Sequence, residues 1–434
     1  MNNHYIYLRK QKSNYMYNME SNELRKQEEL SAECYDNATI LPLKKSSIKN
    51  LVFGLGGVVD SNKKYIEDSS VKGRVEYAYD YKDFDNINEK VVFCGYLINH
   101  WGHFLTETVP RLWYVLENDH SIEKYVFFIE EGVERLPKGN FREFLRLLGI
   151  LDKIRIINKP TRFKCVVIPQ LSYSRREYYS QRFKDIFSKV SESIITDSKW
   201  NKYEKIYFSR SESAGANKKE FGHDCLENFF IRNGYKIIYP ELISLSELIY
   251  IMRYAKEIAT VSGTLQHNIL LAPDKKNVAI LERNVLVNDI QLDVNIIKQA
   301  NFVYIDSHHT VYNVSEGYGP FMMYFTDELK EYAKKNNMVF PDKEYLGEKY
   351  KKKVLKSYLR VYLLAYDYSI HMEKWHFNQI QAITEAEKSA EKEFYDYIHR
   401  IKPIFISDYL DIRFQKQIIH NLFSKIASVV FRKR

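Results

Sequence analysis

From about residue 90 the chain alternates short apolar runs of strand length with amphipathic stretches of helical period, and this alternation constrains the fold more than any other feature. "KVVFCGY" (90–96), "KYVFFIE" (124–130), "IRII" (154–157) and "CVVIP" (165–169) have the apolar density of strands buried on both faces. Between them lie a helical segment at 101–117 and "NFREFLRLLG", with Asn140 as its expected cap, Glu143 three residues on and Gly149 as its stop. A polar stretch at 172–203 interrupts the pattern. It then resumes with "KIYFS", a helix closed by Asn233 and Gly234, "YKIIY", a helix opened by a Ser244/Glu247 capping box, "EIATV", a short helix from Leu265, and "NVAIL". Such alternation predicts parallel sheets in two successive β/α domains.

A chain of 434 residues, 45% hydrophobic and 28% charged, supports two proper cores and is not a disordered polymer. The formal charge of +9 comes without an arginine-rich tract. It therefore points to anionic small molecules or an anionic membrane surface rather than nucleic acid. No apolar run approaches the ~20 residues that span a bilayer, and the first residues lack a signal-peptide core. Cys34, Cys94, Cys165 and Cys225 lie far apart without C-x-x-C spacing, which predicts neither a disulfide framework nor a zinc knuckle and suggests a reducing cytoplasm.

In open β/α sheets, ligands sit beyond the carboxyl ends of the strands. In the second half those ends carry Ser209 and Arg210, Glu241, Ser262-Gly263-Thr264, and Glu282 with Arg283. "EIATVSGTLQHNILLAP" runs strand, polar turn, helix, with His267 and Asn268 in the first helical turn. Free N–H groups at such a helix start suit a phosphate; an ordinary Thr-capped turn is the plainer reading, since no P-loop or G-x-G-x-x-G spacing is present. Arg210, at a strand's end, suits a diphosphate, whereas Lys218 and Lys219 read more simply as a solvated basic loop.

At 100° per residue, His100, His103, Glu107, Arg111 and Tyr114 share one stripe of the 101–117 helix. Three readings fit: a solvated face, a metal site, or acid/base chemistry in which Glu107 orients His103. "DFD" at Asp83–Asp85 matches a metal-holding D-x-D, but three residues carry little weight in a chain rich in Asp. The tail 412–434 has six Lys or Arg, no acid, and apolar residues at helical spacing; an interfacial helix on anionic lipid and a docked helix fit it equally.

"GYLINHWGHFLTETVPRLWY", followed by "IYFSR", "NGYKIIYPELISLSELIYIMRYAKEIATVSGTLQHNILLAP" and "VNDIQLDVN", resembles glycosyltransferase family 61 as found among bacterial capsular-polysaccharide enzymes, over about residues 50–325. The resemblance implies an α/β GT-B fold, two Rossmann-like domains facing a central cleft, and inverting transfer from a nucleotide sugar, UDP by default, without an obligatory metal or cofactor. Carried over by position, it implies catalytic His103 and Glu107, and nucleotide contacts from Arg210, Ser262, Gly263, Thr264, His267 and Asn268. Lys218 and Glu241 are added to the nucleotide contacts, and His100 and Arg111 to the acceptor side. Two departures stand out: Ser262–Gln266 where relatives read G-x-x-G-A, and "NKK" at 217–219 where an arginine is common.

The expected organisation is an N-terminal extension (1–50), an acceptor domain (51–180), a linker (181–202), a nucleotide-sugar domain (203–325) and a helical C-terminal region (326–434) that includes the membrane-facing tail. The acceptor would be a cell-surface glycan, lipid-linked at the inner face of the plasma membrane. A polysaccharide pyruvyl transferase and a non-catalytic glycan- or nucleotide-binding subunit are the alternatives.

Overall fold

The apolar runs form two sheets. The computed structural model describes residues 6–8, 24–44, 54–70, 78–213, 220–284, 287–308, 321–341 and 357; Lys218, Lys219 and the tail 412–434 lie outside them. Both sheets belong to the compact unit Met1–Tyr366.

In the first sheet, Thr161–Pro169, Asp85–Tyr96, Lys124–Phe128 and Ile154–Ile157 lie side by side and parallel. Leu55–Val59 and Thr39–Lys44 extend the Thr161–Pro169 side antiparallel, and Ala32–Asp36 also pairs with Thr161–Pro169. Part of the expected N-terminal extension is thus sheet, because "TILPLK" buries all but its last residue. The antiparallel edge also departs from the all-parallel expectation. Cys34 and Cys165, on paired strands, are joined as a disulfide. This overturns the expectation from cysteine spacing, since a separation of 131 residues carries no local signal.

The second sheet is parallel throughout, in the order Ile6–Leu8, Asn301–Asp306, Asn277–Glu282, Glu257–Val261, Lys205–Phe208, Lys236–Ile238. Chain order reverses between Lys205–Phe208 and Glu257–Val261. In the first sheet it reverses between Asp85–Tyr96 and Thr161–Pro169. At such switch points the connections leave to opposite sides and open a crevice beyond the strands.

One apolar core runs from the first sheet (Val92, Phe127) through Phe144, Phe187 and Ile249 to the second (Ile258, Ile280). The helix Gln181–Glu192, within the expected linker, buries Phe183, Ile186, Phe187 and Val190 in it. Ser244 caps the helix Leu245–Tyr254 as expected, accepting from the Glu247 N–H at 3.1 Å. Glu143 behaves differently. Its helix, Gly139–Leu148, starts from Lys138 without a side-chain cap, and Glu143 instead accepts from the Leu245 and Ser246 N–H groups at 3.1 Å each. A carboxylate read as a local cap thus ties the two sheets together at a helix N-terminus, where negative charge is favoured. Of the expected helical C-terminal region, the described residues show Asp327–Lys335, capped by Thr326.

Candidate active site

The segment after Tyr96 leaves the carboxyl end of its strand at the first sheet's switch point and winds unevenly: one α turn at Trp101–His103, one π turn at Phe104–Thr108, then 3₁₀ winding over Val109–Glu117. Pro110 has no N–H to donate back to Thr106, whose hydroxyl donates to the Gly102 carbonyl at 3.0 Å. A π turn is rare and is frequently found at functional sites.

This winding divides the expected stripe. His100 and His103 stay together, ring centroids 4.7 Å apart, and His103 Nδ1 lies 2.6 Å from Glu107 Oε1. Arg111 turns inward. It is 1% exposed, donates to the Pro169 carbonyl at 2.7 Å and the Ser70 carbonyl at 2.8 Å, and covers the Phe93 ring. Burial pushes its pKa down to about 10, so it remains charged at neutral pH. The expected place of Arg111 on the acceptor side is corrected: the change of helical pitch after Thr108 carries it into the first sheet's core.

Beyond the second sheet's switch point stand Ser209-Arg210 and Ser262-Gly263. Gly263 is the N-cap of the 3₁₀ helix Thr264–Leu271, and no side chain caps that start. The Ser262 hydroxyl is occupied, accepting from the Arg283 N–H at 3.1 Å. Gly263 has φ 118°, ψ −158°, a conformation essentially limited to glycine, and a Cβ there would lie 2.7 Å from Arg283 Nη2. Gly263→Ala is therefore expected to cost about 1–3 kcal/mol in denaturant unfolding. At Gly102 a Cβ would press His267 Cδ2 and Thr264 Cγ2 at 3.1 and 3.2 Å, so those side chains would have to give by a few tenths of an ångström.

The two sheets meet here. Gly102 faces His267 Cδ2 and Thr264 Cγ2, and Trp101 Nε1 donates to Asn268 Oδ1 at 2.8 Å. Sequence blocks more than 150 residues apart thus form a single wall, with His103 and Glu107 on one side and the uncapped helix start on the other. Burial first, then His103 and Arg210, lower the His100 pKa against the opposing pull of Glu107, which puts Arg210 within electrostatic reach of His100.

Arg210 is aimed by a residue the sequence reading passed over. Its Nε donates to both carboxylate oxygens of Glu220 at 3.0 and 3.1 Å. Arg283 Nη1 donates to Glu220 at 2.7 Å, and His223 Nε2 lies 3.2 Å away. Glu220 is 3% exposed as a side chain, Arg210 18%. Glu220 takes up Nε, and the side chain remains partly exposed. Gln266, also unanticipated, lies in the first turn of the 264–271 helix, fully buried, with neither amide atom hydrogen-bonded. Glu241 is exposed beside the site, within range of Arg210's charge.

The family model described as Glycosyltransferase 61 matches residues 101–279, a span that begins at Trp101 and holds both blocks of the wall. No curated protein matches the chain.

Proposed function

We infer from residues 101–279, which assign this chain to glycosyltransferase family 61 and hence to glycosyl transfer, that it moves a sugar with inversion from a nucleotide sugar, UDP-linked by default, to a hydroxyl of a cell-envelope glycan. The observation that supports this reading is the seam at Gly102, where the segment carrying the His103–Glu107 pair meets Thr264 and His267 of the 264–271 helix, with Arg210 within electrostatic reach of His100. Inversion needs a base on one face of the anomeric carbon and a leaving group on the other.

In this reading His103, with Nδ1 held by Glu107, takes the acceptor proton at Nε2. Arg210 and the helix start stabilise the departing diphosphate, the group on which negative charge develops. Those fixed positive groups do the work a metal would do, so the mechanism needs none. Two sheets, each with a switch point, suit a GT-B arrangement, with acceptor binding by the first sheet and nucleotide binding by the second.

A thermal-shift panel of UDP, UDP-glucose, UDP-N-acetylglucosamine and phosphoenolpyruvate tests the reading. A ligand at 100 times its Kd adds about 2.7 kcal/mol of stability. A shift with UDP and a UDP-sugar, together with release of UDP, supports transfer. A shift with phosphoenolpyruvate alone would indicate a pyruvyl transferase, and nucleotide binding without any turnover a binding subunit.

We also place the enzyme at the inner face of the membrane, where a lipid-linked acceptor would lie. Among the described residues no helix is long and apolar enough to cross a membrane. Attachment would come from the basic tail, each Lys or Arg contributing ~1 kcal/mol near anionic lipid. Deleting residues 412–434 should then abolish sedimentation with anionic vesicles while activity on a short soluble acceptor survives; an intact chain that ignores such vesicles at low salt would sink the idea.

A further inference from the structure

His267 stands at the seam, and a buried relay fixes its protonation pattern. Its Nδ1 lies 2.9 Å from Gln291 Oε1; Gln291 Nε2 donates to Asn295 Oδ1 at 2.8 Å, and Asn295 Nδ2 donates to the Tyr304 hydroxyl at 2.5 Å. An amide oxygen can only accept, so the His267 proton sits on Nδ1 and the lone pair on Nε2. Cδ2, the ring carbon bonded to Nε2, is the His267 atom nearest Gly102.

Burial keeps the ring neutral. Desolvation is the largest cause and lowers its pKa to about 4; the hydrogen bond to Gln291, next in size, opposes it, His103 and His100 add to it, and Asp289 opposes it last. A neutral imidazole without an Nε2 proton cannot donate to a phosphate, so the diphosphate contact expected from the family resemblance does not suit this residue. It needs a donor. Hydroxyls are the donors a sugar offers, and the transferred sugar would lie between the diphosphate and the base, where His267 and Thr264 both lie against Gly102 and His267 is within electrostatic reach of His103 and His100.

We propose that His267 is a positioning residue whose Nε2 accepts a hydrogen bond from a hydroxyl of the sugar being transferred, with its tautomer set by Gln291, Asn295 and Tyr304. The proposal rests on the glycosyltransferase reading of the site. It makes the enzyme sensitive to the donor sugar's hydroxyl pattern rather than to its nucleotide.

The test is an imidazole ¹⁵N–¹H correlation spectrum of the full chain labelled with ¹⁵N-histidine, the His267 signals being those missing from His267→Asn. The expected ring is neutral and protonated at Nδ1. Its Nε2 resonance should move with whichever of UDP-glucose, UDP-galactose and UDP-N-acetylglucosamine raises the melting temperature, and stay in place with UDP. Gln291→Leu should raise KM for that nucleotide sugar ~10-fold, as loss of a hydrogen bond to a correctly held partner would, while inhibition by UDP is unchanged.

A ring protonated at Nε2, an imidazolium, or an equal response to UDP alone would each overturn the proposal, the last by assigning the contact to ribose or base. If no nucleotide sugar stabilises the protein, the glycosyltransferase reading itself falls, whatever tautomer is found.

Discussion

Turnover should fall by about 10²-fold or more when His103 is replaced by alanine, with UDP affinity close to that of the wild type. The expectation follows from the division of the site: His103 and Glu107 belong to the segment after the first sheet's strand, whereas Arg210 and the 264–271 helix start belong to the second sheet. On the proposed mechanism, replacing His103 removes the base and leaves the proposed diphosphate contacts in place. Glu107→Gln should lower kcat in the same direction, since an amide can still accept from Nδ1–H but stabilises the imidazolium far less. Turnover unchanged in both variants, measured as UDP release with a saturating donor, would make the pair structural.

The second large effect is expected at Glu220. This carboxylate is the shared partner of Arg210 and Arg283, with His223 3.2 Å away, and all four side chains are largely buried. Removing one member of a buried ion cluster leaves the others uncompensated, so Glu220→Gln should cost about 3–5 kcal/mol of stability. It should also weaken UDP binding, because Arg210 loses the bonds that aim it.

The sign of the pH dependence follows from the same contacts. Burial alone would raise the Glu220 pKa, but Arg283, His223 and Arg210 outweigh it and hold the carboxyl well below the ordinary carboxylate range. Its contribution is therefore complete above the unfolded value of about 4.3 and is lost as pH falls below that. Denaturant unfolding of the wild type should show this loss, and Glu220→Gln, already less stable, should lack that limb. Equal acid sensitivity in the two proteins would mean that Glu220 is not the linked group.

Much of the scaffold was legible in the chain. Buried parallel strands need apolar residues on both faces, and such runs as "VVFCGY" and "EIATV" announce themselves without any partner in view. Gly149 ends its helix in the left-handed conformation because only a residue without a side chain adopts it freely, and that too is local. Where information is non-local, local reading erred. Glu143 has the spacing of its own helix's cap but serves a helix 100 residues on. Cys34 and Cys165 carry no mark of each other, and "TILPLK" was hidden in a polar neighbourhood.

The candidate site divides along the same line. His103 and Glu107 could be paired from sequence, because i and i+4 share a face under either α or π winding. The loss of Arg111 from that face could not, since it depends on a change of pitch after Thr108 that Pro110 helps impose. The sequence by itself determined the chemical inventory and its placement at strand ends, for those follow from local pattern. Only the tertiary structure decided which groups meet: that Gly102 lets Thr264 and His267 close on the histidine segment, that Glu220 aims Arg210, and that Gln291 chooses the tautomer of His267. Each of these is a contact between residues distant in the chain, and the direction of a hydrogen bond or the sharing of a counter-ion exists only once both partners are in place.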